Sequence, residues 1–156
     1  MDTPKTVYHQ SRLKAAAFND KLKSREGAAE LLGCSVSTLS NYELAVTKIV
    51  PPDAVVMMAD LYNAPELKNH YCATECPIGC GRVAPLELSE LEKLTLKILV
   101  SLKNVGYVQE TLIEIAADGI ISGDEMGEFK KVISMLDSIS KSAQALKLWA
   151  EKKAGK

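Results

Sequence analysis

The sequence predicts an all-α protein, with an N-terminal domain of five short helices followed by a C-terminal antiparallel helical bundle or hairpin. Two observations carry this expectation. Apolar residues recur at three- and four-residue steps along most of the chain, the spacing of one face of a helix. Capping residues, glycines and prolines interrupt these runs at helix-length intervals. A length of 156 residues allows one ordinary domain or two small ones. Hydrophobic residues make up 47% of the chain and aromatics only 5%, so Leu, Ile, Val, Ala and Met must fill the core.

The first helix is expected over 7–22, from the spacing of Leu13, Ala16 and Ala17. Ser24 then reads as an N-cap before Arg25-Glu26-Gly27 and the apolar positions Ala28, Ala29, Leu31 and Leu32. Gly33 ends that second helix, because glycine takes the left-handed conformation at little cost. Ser35 opens a third helix, with Leu39 facing inward. Pro51-Pro52-Asp53 suits the first turn of a fourth helix over 52–62, and Val55, Val56, Met58, Ala59 and Leu61 give it a broad buried face. Pro65 starts a short fifth helix. Further on, Ser89 is expected to cap a helix reaching Lys103, a second helix covers 107–117, and a third runs from Gly123 to about Lys152. The third is marked by residues such as Phe129, Val132, Leu136, Ile139, Leu146 and Trp149. Asp118-Gly119 makes a tight turn, and the charged end, 151–156, is expected to fray. Short connections favour antiparallel neighbours. The domains are accordingly placed at 1–69, a cysteine-containing linker at 70–85, and a helical domain at 86–156.

No apolar run approaches the roughly 20 residues that span a bilayer. The N-terminus is polar and lacks the apolar region of a signal peptide, so a cytoplasmic protein with no membrane partner is expected. Its four cysteines are then thiols or metal ligands rather than structural disulfides. The net charge is −1, and residues 1–64 hold seven Lys/Arg against seven Asp/Glu, so any attraction for nucleic acid must be local.

The segment 24–43, SREGAAELLGCSVSTLSNYE, is the most informative. Two short helices meet at Gly33, and the small Ala29 lets them approach closely. Leu32, Cys34 and Leu39 face the shared core. Ser35, Val36, Ser37, Thr38, Ser40 and Asn41 are left on an outer face rich in hydroxyls and one amide. With Tyr42-Glu43 and the stretch PPDAVVMMADLYN, this pattern resembles the phage-repressor and Cro type of helix-turn-helix, the Xre family of transcriptional regulators, over about 7–64. The resemblance implies a repressor-like domain whose second motif helix, 35–44, lies in the major groove of double-stranded DNA. It implies base-edge contacts from Val36, Ser37 and Asn41, with Ser40 beside them. Arg25, Thr38 and Lys48 are implied to reach phosphates, and Lys21 and Lys23 to add positive charge. Ala45 stands where the family often has glycine, and no basic residue of the first helix stands out as a partner for Glu43.

Cys72, Cys76 and Cys80 recur at four-residue spacing, with His70 just upstream. Soft ligands this close could hold zinc or an iron–sulfur cluster; the alternative is small packing residues in a turn. Pro77 and Gly79 argue against one unbroken helix through all three. Cys34 reads as a core residue, His70 as a surface side chain, and His9 carries no signal. The stretch 118–125 has the flavour of half an EF-hand but lacks its ligand order, so a helix-turn-helix corner with Ser122 or Asp124 near a helix N-terminus is expected instead. The C-terminal helices are expected to mediate a homodimer or to bind a protein partner.

These readings favour a DNA-binding transcriptional regulator. The alternatives are a protein–protein adaptor built on the same helices, or a metal- or redox-responsive regulator using Cys72, Cys76 and Cys80. No nucleophile–base pair, phosphate-binding glycine loop or carboxylate pair stands out, so an enzyme is the least favoured class.

Overall fold

A computed structural model describes residues 6–117 and 119–155 of the chain. Asp118, expected in the tight turn with Gly119, lies outside the described residues, as does Lys156. All regular structure is helical, and no strand occurs among the described residues. Two compact units are present. One runs to Leu86 and includes the last residues from Glu151; the other is Glu87–Ala150.

The first unit holds α1 (Val7–Ala15), a 3-10 turn (Asp20–Lys23), α2 (Arg25–Leu32), α3 (Val36–Glu43), α4 (Pro52–Leu61) and α5 (Glu66–Thr74). The expected first helix is thus shorter than 7–22. The Asn19 side chain accepts from the Lys21 N–H and starts a separate turn. The face of α1 also differs from expectation. Leu13 is 45% exposed, whereas Tyr8, Ser11, Arg12 and Ala15 are buried. Apolar spacing misplaced this helix because its inward face carries an arginine and a serine.

The motif helices follow their sequence signals. Ser24 Oγ accepts from the Gly27 N–H at 3.0 Å, and Ser35 Oγ from the Thr38 N–H at 3.0 Å. Gly33 has a φ of +64°, the left-handed conformation expected at the end of α2. Gly27 meets a need the sequence reading missed. A Cβ there would run into the Lys21 carbonyl, so only glycine lets α2 lie against the 3-10 turn. Leu22, Leu39 and Leu67 are fully buried in one core with Ala28, Ala29, Val55 and Met58. Burying each of these leucines stabilises the fold by about 1.5–3 kcal/mol. On α4 the buried face is narrower than expected, since Val56 is 44% exposed.

The second unit holds α6 (Leu91–Leu102), α7 (Val105–Ala116) and most of α8 (Met126–Ala154). Ser89 does not cap α6; Glu90 occupies that position without a side-chain cap bond. The entry to α8 is more elaborate. Ser122 N–H donates to Glu125 Oε2 at 2.8 Å, and Glu125 N–H donates to Ser122 Oγ at 3.3 Å. This reciprocal pair is the pattern of a capping box. The end of α8 does not fray as expected. Helix continues to Ala154, and Lys152 Nζ donates to Glu66 Oε1 at 2.6 Å. No helix among the described residues is long and apolar enough to cross a membrane.

Candidate nucleic-acid interface

The site is built on α3 and depends on how its far end is held. Glu43, the last residue of α3, is 1% exposed and receives three cationic or ring groups. Arg12 forks onto it, with Nε at 2.5 Å from Oε1 and Nη2 at 3.1 Å from Oε2. Arg25 Nε donates to Oε2 at 2.7 Å, and His9 Nδ1 lies 3.0 Å from the same oxygen. Burial pushes the Glu43 carboxyl up, but the bonds from Arg12, His9 and Arg25 outweigh it and hold its pKa at about 2. Arg12 also donates to the Leu22 carbonyl at 2.7 Å. One buried cation therefore links α1, the 3-10 turn and α3.

This corrects the sequence reading in two places. A partner for Glu43 does exist in the first helix, and it is Arg12. His9, which carried no signal, belongs to the same cluster. The clue was available: Arg12 and His9 lie close enough along one helix to share a face, but assigning that face to the core needed the helix register. Thr6 was also missed. Its hydroxyl accepts from the His9 N–H at 3.4 Å and donates to the Glu43 carbonyl at 2.9 Å, joining the start of α1 to the end of α3.

The loop after α3 is equally constrained. Ala45 has a φ of +56°, so this position takes the left-handed conformation that glycine adopts at least cost. The Asn41 carbonyl accepts from the N–H groups of Val46 and Thr47, at 3.0 and 3.2 Å. At the loop's end, Val50 N–H donates to Glu75 Oε2 at 3.0 Å, while Tyr8 OH donates to Glu75 Oε1 at 2.6 Å. Burial, then the Glu75 carboxylate, pushes the Tyr8 phenol far above its ordinary range. Lys48 is thereby presented on a loop anchored at both ends.

The expected contact residues lie on α3 and its N-cap, at the start of α2, and on the loop after α3. Ser35, Val36 and Ser37 are exposed at the N-terminal end of α3. Ser40 and Asn41 are half-buried one turn on. Among the described residues no side-chain bond engages Ser37 or Asn41. Thr38 is also half-buried, and its hydroxyl lies 2.8 Å from Ser35 Oγ. Arg25 has one-third of its side chain exposed although its Nε serves Glu43. Lys48 is exposed with no carboxylate partner among the described residues. The two auxiliary lysines are engaged elsewhere: Lys21 pairs with Glu30 at 3.2 Å, and Lys23 with Asp20 at 2.6 Å.

Cys34 is half-buried against the core, as expected. Cys72 sits on α5, which ends at Thr74 before Pro77; Cys76 and Cys80 follow on the turns beyond it. All are free thiols. Among the described residues no group of three His, Cys, Asp or Glu side chains is arranged to hold a metal ion.

No curated protein and no solved structure matches the chain. Residues 12–69, from α1 into α5, match the family model of a helix-turn-helix domain, a likeness that supports a DNA-binding regulator.

Proposed function

We propose that the protein is a sequence-specific transcriptional regulator of the Xre, phage-repressor type, acting as a homodimer with α3 in the major groove of DNA. The observation that carries this reading is the outer face of α3. It offers uncommitted hydroxyl and amide groups on a short helix whose far end is fixed by the buried Arg12–Glu43 pair. Prepositioned polar groups of this kind discriminate base edges without a large ordering cost. Asn41 reads adenine, Ser37 reads a neighbouring base edge, and Val36 packs on a thymine methyl. Ser35, Thr38, Arg25 and Lys48 hold phosphates. With Lys21 and Lys23 paired internally, phosphate contacts are few, so a single module binds weakly and two are needed on one site.

Fluorescence-anisotropy titration of labelled duplexes at several salt concentrations tests the reading. Lys48→Ala should weaken binding to all sequences alike and reduce the salt slope by about one. Asn41→Ala should cost about 1–3 kcal/mol on the preferred sequence only. Binding that ignores both substitutions would remove α3 and its loop from the interface.

A second reading, a protein–protein adaptor, is favoured by one observation. Val46 and Ile49, 67% and 43% exposed, put apolar side chains on the loop beside α3. It predicts a stable protein complex and no DNA affinity above background.

A further inference from the structure

Helix α6 carries an apolar face that the fold does not use. Leu94 is 2% exposed and marks its inward side. At 3.6 residues per turn, Leu96, Leu99 and Val100 fall on the opposite side. They are 65%, 60% and 72% exposed. A helix that is apolar on both sides is ordinarily covered on both. Glu92 and Lys103 lie on the outward side too, one at each end of the apolar row, and both are exposed. Among the described residues neither belongs to an ion pair.

The arrangement is self-complementary. Glu92 and Lys103 are equidistant from a point between Lys97 and Ile98, and so are Leu96 and Leu99. A two-fold axis through that point runs a second α6 antiparallel to the first. It sets Leu96 against Leu99 of the second copy, and Glu92 against its Lys103. Isologous interfaces need this property, in which a surface matches itself after a half-turn. We propose that the outward face of α6 is a homodimer interface, with a second copy of this chain as its occupant. The charge order selects the antiparallel pairing, because a parallel one would place like charges together at both ends.

This inference deepens the dimeric reading above and rests on it. Its test uses no DNA, so failure of self-association is distinguished from failure of DNA binding. Sedimentation equilibrium of the full chain should show a reversible dimer. Leu96→Asp should abolish it without loss of helix content by circular dichroism. Glu92→Lys and Lys103→Glu each set like charges together in the symmetric pair, and each should weaken the dimer roughly tenfold. An equimolar mixture of these two variants should recover wild-type association, because every lysine again faces a glutamate; a misfolded variant could not do so. A monomer at all concentrations, a dimer indifferent to Leu96→Asp, or a mixture that fails to recover would overturn the proposal.

Discussion

The two units of this chain solve the burial problem differently. The N-terminal unit closes its own core. Leu22, Leu39 and Leu67 have no exposed surface, and even its buried charges, Arg12 and Glu43, satisfy each other. The C-terminal unit buries few residues as deeply, Leu94 and Val132 among them, and leaves Leu96, Leu99, Val100 and Ile113 more than half exposed. The first unit closes a core of its own and carries the hydroxyl and amide groups of α3, with Val46 and Ile49 exposed beside them. The second has apolar surface to spare, which fits association rather than readout. The contrast matches what the proposed dimeric DNA reader requires: a firmly held α3 and a way to join two copies.

The largest expected effect lies at the buried charges. Glu43→Ala leaves Arg12 buried without a counter-ion and should destabilise the N-terminal unit by about 3–5 kcal/mol in denaturant titration. A loss below about 1 kcal/mol would show that water reaches this cluster and that α3 is not held as described. Leu39→Ala should cost about 2–5 kcal/mol, since no neighbouring side chain can fill the cavity in a closed core.

Acid provides a reversible probe of the same cluster. The Glu43 pKa is lowered from 4.5 to about 2 in the folded protein. A depressed carboxylate stabilises the fold above its unfolded pKa and loses that contribution as pH falls toward the folded value. A few kcal/mol should therefore disappear between about pH 4.5 and about pH 2, and the stability difference between wild type and Glu43→Gln should shrink over that window. A difference independent of pH would mean that the bonds to Arg12 and His9 do not form in solution.

Smaller changes sharpen the comparison. Ala45→Gly removes a left-handed alanine beside α3 and should stabilise the first unit by up to about 1 kcal/mol, read as a raised unfolding midpoint. In the second unit, Leu96→Ser should shift the stability of the monomer by less than about 0.5 kcal/mol. A larger loss there would place Leu96 in that unit's own core and erase the contrast.

Much of the first unit was legible because its signals are local. Ser24, Gly33 and Ser35 act on backbone groups within four residues, so their roles follow from spacing alone. The outer face of α3 was legible for the same reason: once Leu39 faces inward, helix geometry sends Ser37 and Asn41 outward. What the sequence hid depends on distant partners. Arg12 looks like a surface cation until Glu43, 31 residues away, is brought against it. Glu75, 67 residues from Tyr8, anchors the Lys48 loop from the end of a helix that seemed unrelated. In the second unit, apolar spacing marked the helices but not their inward sides. Where apolar residues lie on both faces of α6, periodicity cannot choose between them.

The most direct test of the account is selection of bound sequences from a random duplex pool at two salt concentrations, with wild type and Asn41→Ala side by side. The account predicts a two-fold symmetric motif enriched by the wild type, more weakly held at higher salt, and lost with Asn41→Ala although that variant folds normally. Enrichment of no sequence at either salt concentration would contradict it.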